Sequence, residues 1–171
     1  SIAAGGKDFV STGAGNNTVL AGAALTRDDT LYFGDGYDRL VLDGSYAGLV
    51  LGAPGAAQVQ GLDEIGLLGG VAGGANTYRL TLDGALNQDV FGPVKIDAGA
   101  LGTADRIELD ARLFTRSIHY VGGVGTDQIK GTYNADIFHF APGTFQAGDR
   151  VDGSGGLDTI QLDGSYDLAL T

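Results

Sequence analysis

Residues 122–129 read GGVGTDQI and residues 131–138 read GTYNADIF, so that Asp127 and Asp136, and likewise Ile129 and Phe138, stand nine residues apart. A repeat of that length has room for one glycine-rich turn and one short strand. A chain built from such repeats turns, runs extended for a few residues and turns again, which stacks parallel coils into a β-roll or β-solenoid. The 31 glycines against 3 prolines in 171 residues agree with turns that recur.

Four segments repeat a strand followed by an Asp turn: RLVLDG at 39–44, RLTLDG at 79–84, RIELDA at 106–111 and TIQLDG at 159–164. Their apolar residues alternate, as Leu40 with Leu42 and Ile160 with Leu162, which is the period of a strand with one face turned inward and not that of a helix. Strands are expected at 9–11, 18–20, 30–33, 39–42, 49–51, 64–68, 77–82, 94–97, 106–109, 117–121, 128–130, 137–140 and 159–162, with at most one helical turn at 110–116. A longer period overlies the short one. GYDRLVLDGSY at 36–46 returns as GLDTIQLDGSY at 156–166, an offset of 120, and Gly6, Asp8 and Val10 fall on Gly125, Asp127 and Ile129 at an offset of 119. The expectation is an all-β protein, a single elongated parallel β-solenoid holding one unit of about 120 residues and part of the next. Degenerate glycine–aspartate coils occupy 1–50, plain strand repeats 51–121, and a second set of glycine–aspartate coils 122–171.

With 43% hydrophobic residues in short, evenly spread runs, the chain is expected to fold. Its net charge of −11, from 21 acidic against 10 basic residues, argues against nucleic acid or an anionic membrane as a partner. There is no Cys, hence no disulfide and no thiolate metal site. No apolar run approaches the roughly 18 residues that span a bilayer, so membrane insertion is not expected, and the opening SIAAGGKDF lacks the layout of a signal peptide. With no initiator Met, the sequence is expected to be a piece of a longer protein.

The acids are mostly Asp in glycine-rich turns, which suits a hard cation. Calcium takes about six to eight oxygens from carboxylates and backbone carbonyls. Glycines at φ > 0 would aim their carbonyls at the ion, and an Asp at the end of the turn would complete the shell. Two carboxylates about 6 Å apart at an effective dielectric of 20 repel by roughly 3 kcal/mol, so stacked Asp turns call for a counter-ion. The expected ligands are Gly123, Gly125, Asp127, Asn134 and Asp136, then Gly153, Gly155 and Asp158, then Asp35 and Asp38, and last Asp8 with Asn17, whose amide lowers the charge of its site. The competing reading of each motif is an ordinary Asx or hairpin turn. An extracellular-type site, with a dissociation constant of about 10⁻⁴ to 10⁻³ M, would be empty in the cytosol and filled outside.

GGVGTDQIKGTYNADIFHF at 122–140 resembles the RTX family, the hemolysin-type calcium-binding repeat proteins exported by type I secretion from Gram-negative bacteria. The stretch that follows, to Gly164, and the segments QVQGLDEIGLL and NTYRLTLDGAL look like the strand repeats of large RTX-type surface proteins. The resemblance implies export in unfolded form, folding outside the cell as Ca²⁺ binds, and an extracellular or cell-surface location. Long perfect runs of the nonapeptide are missing, so a mixed solenoid with a few ion sites is expected.

His119 and His139 both lie within strand patterns, and the chain has no nucleophile elbow, P-loop, HExxH or dinucleotide fingerprint. Acidic pairs such as Asp28 with Asp29 and Asp63 with Glu64 face opposite sides of a strand, which is unsuited to glycosidic chemistry. The chain is therefore read as no enzyme. The first functional reading is a structural or adhesive repeat module of a surface, matrix or fibre protein, with self-association through open strand ends. The alternatives are a secretion and folding module of an exported protease, lipase or polysaccharide-modifying enzyme, and a carbohydrate-binding module that meets a surface glycan through Tyr32, Tyr37, Tyr46, Tyr120, Tyr133 and Tyr166.

Overall fold

The computed structural model describes residues 2, 5–52, 55, 57–69, 74–86 and 92–166. In chain order the strands are β1 (Phe9–Ser11), β2 (Thr18–Ala21), β3 (Thr30–Tyr32), β4 (Arg39–Asp43), β5 (Tyr46–Leu51), β6 (Gln58–Gln60), β7 (Glu64–Leu68), β8 (Thr77–Leu82), β9 (Val94–Ala100), β10 (Arg106–Asp110), β11 (Ile118–Val121), β12 (Thr126–Lys130), β13 (Ile137–Phe140), β14 (Arg150–Asp152) and β15 (Thr159–Leu162). No helix occurs among the described residues, and 110–116 passes through a turn instead. Every strand pairing is parallel. The sheets are β1-β3-β6, β14-β12-β10-β8-β5 and β15-β13-β11-β9-β7-β4-β2, and none is closed on itself. This is the parallel solenoid expected from the repeats.

Successive coils differ in length. In the seven-stranded sheet Thr18 pairs with Arg39, a step of 21 residues, and Glu64 with Lys95, a step of 31. His119 pairs with Ile137, a step of 18, so the coil containing GGVGTDQI and GTYNAD keeps twice the nine-residue period. From β4 to β7 the chain visits all three sheets, and from β7 onward it alternates between the seven-stranded and five-stranded sheets.

The core lies between the sheets and is built from residues that stack coil on coil. One column runs Val19, Leu40, Ile65, Ile96, Tyr120, Phe138 and Ile160 along the seven-stranded sheet. Opposite it, Leu49, Leu80, Leu109, Ile129 and Val151 form a second column, and Tyr46, Tyr78, Ile107 and Asp127 a third. Each fully buried aliphatic in such a column contributes about 1.5–3 kcal/mol. Two strands escaped the sequence pattern, β6 with Gln58-Val59-Gln60 and β14 with Arg150-Val151-Asp152, because each offers one apolar residue between two polar ones.

The 120-residue repeat is real in three dimensions. Gly36 and Gly156 both adopt positive φ, and a Cβ on either would stand 2.5 Å from a carbonyl of the coil below, Gly15 in one case and Asn134 in the other. The Tyr46 hydroxyl donates to the carbonyls of Ala21 and Gly22, as the Tyr166 hydroxyl does to those of Phe140 and Ala141. The equivalent residues Leu40 and Ile160 differ only in cover: Leu40 is 0% exposed beneath Ile65, and Ile160, on the outermost strand, is 52% exposed. Leu40→Ala should therefore cost about 2–5 kcal/mol in urea unfolding. Ile160→Ala should cost less than about 1 kcal/mol, and equal costs would contradict this end-on exposure.

Candidate metal centre at the glycine–aspartate corners

Where a strand of one coil follows the turn before it, the chain places an Asp, and the structure shows what its carboxylate does. The Asp29 Oδ1 accepts the N–H of Asp8 from the coil below at 2.8 Å, and its Oδ2 accepts the N–H of Thr26 in its own turn at 2.6 Å. Asp105 repeats this with Asn76 at 2.8 Å and Gly102 at 2.7 Å. Asp136 does so with Ile118 at 2.8 Å and Thr132 at 2.6 Å, and Asp149 with Asp127 at 2.9 Å and Gln146 at 2.6 Å. Asp38, Asp63 and Asp158 make the inter-coil half of the bond, to the N–H groups of Asn17, Asp38 and Asp136. A corner between parallel strands leaves backbone N–H groups without a ladder partner, and a carboxylate supplies two acceptors of the strong, charge-assisted kind.

The carboxylates of the stacked Asp turns thus accept backbone N–H groups, a structural role that stands beside the counter-ion expected for each. Asp105→Ala leaves two N–H groups orphaned and should cost about 3 kcal/mol or more in urea unfolding. Asp35 is exposed, so Asp35→Ala should stay within about 0.5 kcal/mol of the parent; similar costs for the two would refute the corner role.

The sites expected from the sequence are redistributed. The turn at 122–125 joins β11 to β12 and the turn at 131–136 joins β12 to β13, so Asp127 and Asp136 stand on opposite edges and do not share an ion site. Gly123 and Gly125 pack on the 98–105 turn, where a Cβ would lie 2.4 Å from the Ala98 carbonyl and 2.3 Å from that of Asp105. The turn holding Asn134 and Asp136 packs instead on the one holding Gly153, Gly155 and Asp158. Asp35 and Asp38 lie over Asn17, while Asp8 belongs to a separate corner with Asn76's counterpart role taken by its own N–H to Asp29.

The glycines of 122–136 do not take positive φ, which corrects the expectation that they turn their carbonyls toward an ion. At Gly122, Gly131 and Gly153 the missing Cβ leaves room for the carboxylate five residues on, and at Gly122 for the Phe140 ring as well. A Cβ on Gly122 would lie 2.9 Å from the Oδ2 of Asp127, on Gly131 2.5 Å from that of Asp136, and on Gly153 2.1 Å from that of Asp158. Left-handed glycines occur in other turns, among them Gly156 and, at the N-terminal copy, Gly13 and Gly15, whose carbonyls accept the Asn17 Nδ2 at 3.1 and 2.6 Å. Asn17 thus fills its own turn with a donor to both carbonyls.

Asp136 has both oxygens engaged: besides its two N–H donors it accepts the Thr132 hydroxyl at 2.9 Å. Asp127 is different. It is 0% exposed, points into the column of Tyr46, Tyr78 and Ile107, and neither carboxyl oxygen has a hydrogen-bond partner. The buried Tyr120 hydroxyl is likewise unpartnered. Burial first, and next the Asp149 carboxylate, push the Asp127 carboxyl up to about 7, while Tyr120 and the Gly123 N–H ease its ionisation without closing a hydrogen bond of normal geometry. The buried Asp38 also keeps one unpartnered oxygen, Oδ2. Among the described residues no three His, Asp or Glu side chains converge as a metal cluster, so any shell here rests on one carboxylate with backbone carbonyls. Asp127 and Asp38 are the positions whose orphaned oxygens fit a hard cation.

The other polar groups weighed from the sequence have structural partners. Asp63 binds the Asp38 N–H, whereas Glu64 takes Arg39 at 2.7 Å and the Tyr37 hydroxyl at 2.7 Å. Asp29 is buried and Asp28 exposed. His139 meets Asp163 at 2.7 Å, with the His119 ring tilted beside it at 6.5 Å between ring centroids. The tyrosines do not form one strip, since Tyr46 and Tyr120 are core residues and Tyr32, Tyr37 and Tyr133 are exposed. Comparison with protein-family models, with curated proteins and with solved structures returns no match to this chain.

An unfolded Asp127 ionises near its ordinary 3.8 and the folded one near 7. The folded chain therefore loses stability as pH rises from about 4 to about 7, by about 1.4 kcal/mol per unit and about 4 kcal/mol in all. In chelator, melting temperature should fall between pH 5 and pH 8 more steeply for the parent than for Asp127→Asn. Parallel profiles would show that this carboxyl does not titrate as described.

Proposed function

We propose that this chain is a calcium-stabilised structural or adhesive repeat module of a secreted or cell-surface protein, one that completes its folding outside the cell when the ion binds. The observation that carries the reading is the Asp127 carboxyl, buried in the core with both oxygens unpartnered while its counterparts Asp29, Asp105, Asp136 and Asp149 each hold two backbone N–H groups. A buried charge without partners costs several kcal/mol, and a bound cation removes that cost.

Calcium at this corner would neutralise Asp127 and, through the neighbouring Asp149, tie the turn at 122–125 to the coil above. Asp38, with one free buried oxygen, is the second position. The similarity of 122–140 to RTX repeats supports the same ion and an extracellular setting, where calcium is millimolar. Binding to the folded state alone raises stability by mass action and links folding to the compartment.

The test is thermal unfolding by circular dichroism in chelator and in millimolar CaCl₂. Calcium should raise the melting temperature of the parent and of Asn17→Ala, and should raise that of Asp127→Asn by less than half as much, with the remainder lost in the Asp127→Asn, Asp38→Asn double variant. A parent indifferent to calcium, or an Asp127→Asn variant that responds as strongly as the parent, would overturn the proposal.

A further inference from the structure

The 120-residue repeat places β14 and β15 as copies of β3 and β4, and the first copy shows what belongs on top of them. In the first copy, β6 and β7 cover β3 and β4 in parallel register, with Val59 on Leu31, Ile65 on Leu40 and Leu67 on Leu42. The corner is closed by Asp63, whose Oδ2 accepts the Asp38 N–H at 2.8 Å. In the second copy, among the described residues, β15 is the outermost strand of its sheet and β14 of its own. The inward residues Val151, Ile160 and Leu162 are left partly or largely exposed, with Leu157 beside them at 85%. The two copies match up to this tyrosine, since Tyr166 clamps the carbonyls of 140–141 as Tyr46 clamps those of 21–22.

The opposite edge of the same sheet is finished differently. Ile2 bridges to Ala21 and is buried beneath β2, and the corner residue there is Asn17, turned onto the carbonyls of its own turn. The two edges are therefore not equivalent.

We infer that the β14–β15 edge is a docking surface for one kind of partner, a parallel β-coil patterned like residues 57–68. Such a coil carries a single aliphatic to cover Val151, an alternating aliphatic pair to cover Ile160 and Leu162, and a corner Asp to accept the Asp158 N–H. A second folded copy cannot lend its own 57–68 coil, because its β7 is already paired between β4 and β9. The occupant is a coil with its lower face free, as in a further repeat unit of the same kind joined in one polypeptide. The inference does not depend on calcium.

To test it, residues 167–171 of the full chain are replaced by a copy of residues 47–69. A second extension carries serine at the copies of Val59, Ile65 and Leu67. Hydrogen exchange of the Thr159–Leu162 amides should slow at least tenfold with the first extension and stay at the parental rate with the second. Equal protection by both extensions, or none by the first, would overturn the inference. So would protection of the same amides in the parent chain that grows with protein concentration, because the edge would then serve contact between whole copies.

Discussion

A backbone N–H at the corner of a parallel coil has no strand partner, and in this protein an aspartate of the next coil takes it. The rest of the solenoid depends on that bond. It fixes the height of one coil over another at the point where the ladder is interrupted, and at Asp29, Asp105, Asp136 and Asp149 the second oxygen also ties off the turn that delivers the Asp. With the corners held, the inward residues fall into columns, and each coil buries its aliphatics against the coils on either side.

The same bond explains the glycines and the charge. Gly122, Gly131 and Gly153 leave room for the carboxylate five residues later, so their spacing reflects a side chain that folds back over its own turn. An acidic excess of this size would ordinarily strain a compact chain by self-repulsion. Here many of the negative groups face N–H dipoles, and others meet cations across the outer face of a sheet, as in the row of Arg39, Glu64 and Lys95.

Much of the architecture could be read from residue order because strands in a solenoid announce themselves by alternation and by turns at short intervals. Leu40 with Leu42 and Ile107 with Leu109 are of that kind, whereas Val59 and Val151 stand alone between polar neighbours and give no periodic signal. The corner residues were legible as a set, but their partners were not. Spacing along the chain placed Asp127 and Asp136 together, and the half-turn between them carries them to opposite edges. Nor could spacing tell a satisfied carboxylate from an orphaned one, since Thr132 follows Gly131 where Gly123 follows Gly122, and only the threonine brings a hydroxyl to its Asp. The offset of 120 was the more informative signal, because it predicts equivalent hydrogen bonds at Tyr46 and Tyr166 that no local pattern contains.

Coils of 18 to 31 residues share one sheet, and the pairing with the longest step absorbs a register shift between Gly66 and Leu68. Surplus residues fall in the connections between strands, where added length costs little entropy. The perimeter is thus free to acquire loops of new length and chemistry, one layer at a time, on a trunk whose vertical spacing does not change.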